Sequence, residues 1–344
     1  MPMHLPQFET GHCPESGSAS EAAITDAVTI LRRGGLVAFP TETVYGLGAD
    51  AENPEALKRL YAVKGRPGYH PVIVHLASAE QLQDWAREIP EAAWQLAKAF
   101  WPGPLTLILP RSSRVPDAVT GGQDTVGLRV PAHPLAQKLL QAFGGGIAAP
   151  SANRFGKLSP TTAPHVRDDL GTDVDLILDG GSCPVGVEST IVAFRDGQPV
   201  ILRPGMITES QIAAVLGQSN QNSAEADTAV IRAPGTLASH YAPGTPLILL
   251  PPQDLIPVIQ QKLAESPAPI GVLARRERPA LLPEAPKMVW MVADTAPEGY
   301  ARALYASLRA LDTKGLSVIL VEALPDSGEW AAVRDRLKRA AYRA

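Results

Sequence analysis

The sequence predicts two α/β domains, a large one on a mixed sheet and a smaller C-terminal one on a parallel sheet. Three observations carry this. The chain has 344 residues, more than one ordinary core accommodates. Its first two-thirds combine helical segments with strand-like runs, several joined by short direct connections, which suits a mixed sheet and not a purely wound parallel one. Residues 216–245 lack periodicity, and beyond them strands and helices alternate.

Residues 1–17, rich in Pro, Gly, Ser and His, are expected to form a flexible tail. Folding is expected from Ser18. Ser18 and Glu21 fit a capping box, Ile24, Val28 and Leu31 share a helical face, and Gly34 stands where a left-handed cap belongs. Residues 36–39 read as a strand, and Asn53 with Pro54 opens a helix bearing Leu57, Leu60 and Tyr61. Strands are predicted at 72–76, 105–109, 125–130, 147–149, 175–178, 189–194 and 200–203, and helices at 78–87, 90–101 and 134–143. The first domain is thus bounded at 18–215, the linker at 216–245 and the second domain at 246–344. That last domain has strands at 247–250, 270–274, 288–292 and 317–321 and a helical face of Leu304, Leu308 and Leu311.

Apolar residues make up 45% and charged residues 19% of a chain with net charge −4, which argues against a nucleic-acid-coating surface. Cys13 and Cys183 are the two cysteines, too few for a disulfide framework or a thiolate zinc site. With neither a signal peptide nor an uninterrupted apolar run of about 18 residues, a cytoplasmic protein without membrane association is expected. The Walker pattern is absent. Two G-x-G-x-x-A matches begin at Gly46 and Gly144, but the second lies between a helix and a strand and the first lacks the downstream acid of a dinucleotide site.

Lys64 and Arg66 follow a helix, where cations ordinarily complement its negative end. Here Pro67 stiffens the loop and Pro71-Val72-Ile73-Val74-His75 leads into a strand, holding both cations near a sheet edge. Ser151 and Asn153 follow a buried strand through Pro150, a turn or cap position that also offers phosphate-compatible donors. Arg129, in the apolar run Gly127-Leu128-Arg129-Val130-Pro131, demands an anionic partner.

These stretches, with Phe39-Pro40-Thr41-Glu42-Thr43-Val44-Tyr45-Gly46-Leu47, Val74-His75 and Ser189-Thr190-Ile191, resemble in order and spacing the YrdC-like family of threonylcarbamoyl-AMP synthases. Pro234-Gly235-x-x-x-x-His240-Tyr241-x-Pro243 resembles the interdomain linker of its two-domain members. The resemblance implies a twisted mixed sheet with an open concave cleft and a Rossmann-like C-terminal domain. It implies synthesis of threonylcarbamoyl-adenylate from L-threonine, bicarbonate or CO2 and ATP, for the t6A modification of tRNA adenosine 37. A separate transferase machinery then receives the product, with direct tRNA contact weak or indirect.

Carried onto this sequence, the resemblance assigns catalysis to Lys64, Arg66, Ser151 and Asn153. ATP would be bound by these four with His70, Thr125, Ser159, Arg203 and Tyr241, and L-threonine by Thr43, His75, Arg129, Ala149 and Ser189. Mg2+ is expected on the phosphates, without a dedicated protein site. The linker, through Tyr241, would close over the nucleotide and keep water from a labile adenylate. His70 stands where family members usually carry Asn, and Thr236 where they usually carry Met. Two other classes remain: a tRNA or double-stranded RNA-binding module without adenylate synthesis, and a domain passing a carbamoyl group to another protein. The net charge and the lack of aromatic-basic interleaving weaken the first, and the missing zinc-finger cysteines weaken the second.

Overall fold

Two sheets organise the chain, seen in a computed structural model that describes residues 20–217, 231–237, 239–265, 267–282 and 287–342. The first sheet comprises β1 (Val37–Phe39), β2 (Gly46–Asp50), β3 (Ile73–His75), β4 (Leu105–Pro110), β5 (Thr125–Arg129), β6 (Ile147–Ala148), β7 (Leu176–Ile177), β8 (Thr190–Arg195) and β9 (Gln198–Arg203). Their order is β7-β1-β2-β6-β3-β5-β4-β8-β9. Pairs β1–β7, β3–β5 and β4–β8 are parallel and the others antiparallel, the mixed arrangement that the short connections predict.

Helix α1 (Glu21–Arg32) is capped by Ser20, whose Oγ accepts from the Ala23 amide at 3.3 Å. The cap expected at Ser18 lies outside the described residues, and the observed cap is two residues later. Helix α2 (Pro54–Lys64) has the expected ends: Asn53 Oδ1 accepts from the Glu55 and Ala56 amides, and Gly65 closes it at φ 62°. The helix expected over 78–87 is a 3-10 turn (Ala79–Gln81) followed by one turn of α3 (Leu82–Trp85). Next come α4 (Glu91–Phe100), α5 (Asp117–Thr120), α6 (Pro134–Phe143), α7 (Ala163–Leu170) and α8 (Glu209–Val215).

Strand alternation explains where the cleft lies. Ala38, Leu47, Val74, Leu107, Leu128 and Ala148 point to one face, where they pack with Leu57 and Leu60 of α2 and Leu96 of α4. Val37, Phe39 and Ile147 point to the other face, covered by α1 and α6 through Leu31, Leu135 and Leu139. Those two helices cover only the β1–β6 half. Ile73 and His75 of β3 and Arg129 of β5, alternating with Val74 and Leu128, face a concavity.

The second sheet is all parallel, β10 (Leu247–Leu250), β11 (Ile270–Ala274), β12 (Met288–Val292) and β13 (Val318–Glu322) in the order β10-β13-β11-β12. Its helices are α9 (Leu255–Glu265), α10 (Pro297–Asp312) and α11 (Ala331–Ala341). Tyr300, Leu304, Tyr305 and Leu337 of α10 and α11 share an apolar cluster with Val44, Leu158 and Val187 of the first body. Across that seam Arg309 grips Asp169 with two nitrogens at 3.0 and 2.5 Å. Among the described residues no helix is long and apolar enough to cross a membrane.

Candidate active site

A cavity opens beside β3 and β5 of the first sheet. Ile73 and His75 of β3, Arg129 of β5, Ala149 and Ser151 after β6, Ser189 just before β8 and Arg203 at the end of β9 contribute to its wall. The roof is the chain segment carrying Pro234, Gly235, His240 and Tyr241.

The loop between β1 and β2 is folded by Thr41. Its hydroxyl donates to the Val44 carbonyl at 2.7 Å, accepts from the Thr43 and Val44 amides, and meets the Thr43 hydroxyl at 2.8 Å. This side-chain turn sets Thr41 and Thr43 on the cavity wall. Between them Glu42 turns inward to Arg129, 2.8 Å from Nη2, and accepts from the Ala132 amide at 3.1 Å. The anionic partner that the sequence demanded for Arg129 is therefore already present in the protein. Arg129 Nη2 and Glu42 Oε1 meet as charges without hydrogen-bond geometry and keep donor and acceptor capacity.

His75 neighbours Arg129 through the parallel β3–β5 register and packs edge-on against Phe39. Burial, reinforced by the Arg129 charge, pushes its imidazole down to about 3, so the ring is neutral near pH 7. Its Nδ1 is buried without a partner. Ser189 meets Thr106 hydroxyl to hydroxyl at 2.7 Å, and its carbonyl accepts from Nε and Nη2 of Arg203. Arg203 Nη1 donates to Pro234 of the roof at 2.9 Å.

Lys64 is fully buried behind the wall. Its Nζ donates to the carbonyls of Ser151 and Asn153, each at 2.6 Å, rather than completing the helix terminus. Burial and the Arg66 charge hold its pKa well below the usual range. Asn153 donates to the Arg154 and Lys157 carbonyls at 2.9 and 2.8 Å, which ties down the loop, and its Oδ1 is left buried and unpaired. Arg66 lines the cavity, held by the Pro71 carbonyl at 2.7 Å and by the Phe155 ring, with Nε unpaired. The strand after this loop, β3, is fifth of nine; the cations sit at a strand end in the sheet centre and not at the edge expected.

The remaining expected residues are placed around this cavity. Thr43, Arg66, His75, Arg129, Ala149, Ser151, Ser189, Arg203 and Tyr241 line it, whereas Lys64 and Asn153 stand immediately behind Ser151. Ser159 donates to Glu188 at 2.6 Å beside the wall. His70 lies outside the lining, its ring between Tyr69 and Phe155. Thr125, half-buried at the start of β5 opposite Pro110, is outside the lining as well.

Residue-type reasoning missed Glu42, Glu188 and the aromatic partners. Glu188, next to Ser189, lines the cavity and carries Tyr305 and Arg336 of the second body on its carboxylate. A carboxylate between Val187 and Ser189 gives no local sign that a phenol 117 and a guanidinium 148 positions away will reach it.

A family model described as "Telomere recombination", covering the Sua5, YciO and YrdC proteins, matches residues 29–205. A second, described as the C-terminal domain of threonylcarbamoyl-AMP synthase, matches residues 207–342. The threonylcarbamoyl-AMP synthase of Pyrococcus abyssi is 44% identical over 93% of this chain and 94% of its own. That of Bacillus subtilis is 42% identical over 94% of each. The crystal structure of P. abyssi Sua5 complexed with L-threonine superposes with a TM-score of 0.83 at 42% identity, covering 92% of this chain and 94% of that one. Sequence, both bodies and their arrangement therefore agree: the chain belongs to the threonylcarbamoyl-AMP synthase family, in its two-part Sua5 form.

Proposed function

We propose that the protein is an L-threonylcarbamoyladenylate synthase, joining L-threonine, bicarbonate or CO2 and ATP with release of pyrophosphate, as a step toward t6A in tRNA. The observation that carries this is one cavity in which fixed cations and unpaired polar atoms face a shared space. Arg66 Nε, His75 Nδ1 and Arg129 Nη2, on lining residues, are buried without hydrogen-bond partners, and buried polar atoms left so are costly unless a ligand satisfies them.

In this reading the threonine carboxylate joins Arg129 and displaces or shares Glu42. The hydroxyls of Thr43, Ser189 and its partner Thr106 recognise the substrate hydroxyl, which rejects an isosteric valine by leaving polar groups unpaired. The threonine amine, as free base, adds to CO2 and loses a proton to solvent, which leaves a carbamate anion. A carbamate oxygen attacks the α-phosphorus, the α–β bond breaks, and pyrophosphate leaves with its electron pair. Lys64 and Arg66, with Ser151, Asn153 and Arg203, lie on the side where that negative charge accumulates. Preorganised cations there favour the transition state over the ground state.

Mg2+ enters as part of the MgATP substrate. Among the described residues no group of three or more His, Cys, Asp and Glu is placed to hold a metal, and the two carboxylates at the cavity are engaged, Glu42 by Arg129 and Glu188 by Ser159, Tyr305 and Arg336. Phosphate oxygens and water are its natural ligands. Tyr241, buried in the roof, shields the mixed anhydride from water. A cytoplasmic location and delivery to a separate t6A transferase complete this reading.

The test is pyrophosphate release from ATP with L-threonine and bicarbonate each omitted in turn. The parent is expected to need both. Lys64→Ala and Arg129→Ala are each expected to lose at least about 100-fold in rate with unchanged circular dichroism. Release without threonine dependence, together with salt-sensitive tRNA binding, would contradict the assignment.

A further inference from the structure

The Glu188 carboxylate lies where the two bodies and the roof of the cavity meet. From its own body Ser159 donates to Oε1 at 2.6 Å. From the second body Tyr305 donates to Oε2 at 2.9 Å, and Arg336 Nε donates to the same oxygen at 2.7 Å. Arg336 also donates to the carbonyls of Glu188 at 3.2 Å and Pro204 at 3.0 Å. Its guanidinium lies 5.3 Å from the centroid of the Tyr241 ring. The Arg336 side chain has 0% exposure, so one buried cation touches Glu188, the residue after Arg203, and the roof tyrosine.

These contacts reach the site along short paths. Ser189, bonded covalently to Glu188, places its hydroxyl on Thr106 and its carbonyl on Arg203. Pro204 continues directly from Arg203, whose Nη1 holds Pro234 of the roof. Burial alone would raise the Glu188 carboxyl, but Arg336 and Arg203, with the Ser159 and Arg336 hydrogen bonds, hold it at about 2. The carboxylate is therefore ionised and its cation is obligatory; removing one partner of a buried pair leaves an uncompensated charge.

We propose that Arg336, on α11 of the second body, is a positioning residue for synthesis: through Glu188 it sets Ser189 and Arg203, and through the Tyr241 ring it seats the roof. The second body then completes the active site without touching substrate. Arg, and not Lys, suits this place because a planar fork serves two carbonyls, the carboxylates of Glu188 and of Asp335 (2.7 Å from Nη1), and a ring face together, whereas an ammonium is a point donor. Interface contacts elsewhere, such as Arg302 Nε to the Pro184 carbonyl at 2.9 Å, dock the bodies without reaching the cavity.

The inference rests on the synthase reading, and the full-length enzyme separates the two. Arg336→Lys is expected to raise the KM for L-threonine at least about tenfold and to increase the pyrophosphate released per threonylcarbamoyl-adenylate formed, with cooperative unfolding retained. Tyr305→Phe, which removes the hydroxyl shared between both Glu188 oxygens at 2.9 and 3.2 Å, is expected to move both quantities in the same direction, by about threefold. Arg302→Gln is expected to keep parent values. Should Arg336→Lys fail to fold, Tyr305→Phe decides alone. Parent values of KM and coupling in the folded variants, or an equal change in Arg302→Gln, would overturn the positioning role. A parent enzyme that needs no threonine would instead defeat the functional reading on which it rests.

Discussion

At the scale of single residues, charge in a dry place decides most of the chemistry. Arg129 was legible in the sequence because an arginine inside an apolar strand requires an anion. Its protein partner was not, since Glu42 is 87 positions away and meets it only when β1 and β5 enter one sheet. The same limit hid Glu188. Histidine gives a direct check. His75 and His240 are both pushed down to about 3 by burial, His75 next by Arg129, and His240 by Arg66 and Lys64 against the pull of Glu188. The unfolded chain takes up protons near the usual 6.5 that the folded chain refuses, so stability is full above 6.5 and falls as pH drops toward 3. Denaturant unfolding is expected to show a loss of about 2 kcal/mol per histidine between pH 7 and 5. His75→Gln, which keeps a polar amide, is expected to flatten that slope by about one histidine's share; an unchanged slope would contradict a neutral His75.

At the scale of elements, periodicity located nearly all the strands within a residue or two, and the helices α1, α2, α4 and α6, of which α2 and α6 carry start signals in Asn53, Pro54 and Pro134; α5, α7, α8, α9 and α11 were not read. Strand β2 was missed for a physical reason. Gly46 and Gly48 have no strand propensity, yet a Cβ on Gly48 would lie 2.9 Å from the Phe39 ring and from Ile147, so the strand exists because glycine lets those side chains approach. The roof has a comparable constraint. Tyr241 holds φ 59°, a strained conformation for a bulky residue, and a Cβ on Gly235 would fall 2.1 Å from its hydroxyl and 3.0 Å from Arg203. Gly235→Ala is therefore expected to displace the roof, and Tyr241→Ala to remove it. Both variants should consume more ATP per threonylcarbamoyl-adenylate than the parent, measured as AMP or pyrophosphate against product. Equal yield per ATP would remove the shielding role assigned to Tyr241.

At the scale of the whole molecule, the second body stands against the cleft face because Leu304, Tyr305 and Leu337 find apolar partners in Val44, Leu158 and Val187. Burial of such side chains is worth about 2 kcal/mol each, and Arg309–Asp169 fixes the angle. The sequence showed that two bodies exist and where the unpatterned stretch between them lies. It did not show the seam, because no local pattern marks which surfaces meet. Gly186 has φ 83°, and a Cβ there would lie 2.5 Å from the Ala301 carbonyl and from the Arg302 Cα. Gly186→Val is expected to wedge the bodies apart, giving a larger radius of gyration in small-angle scattering and a lower rate, whereas unchanged scattering and rate would contradict a tight seam. The central claim is that one cavity takes an amino acid on Arg129 and a triphosphate beside Lys64 and Arg66. A crystal soaked with L-threonine and a non-hydrolysable ATP analogue tests it most directly. The account predicts the threonine carboxylate on Arg129, the triphosphate against Arg66 and the Ser151–Asn153 loop, and the amine facing the α-phosphate under Tyr241; ligands bound in separate places, or a cavity left vacant at saturating concentrations, would contradict it.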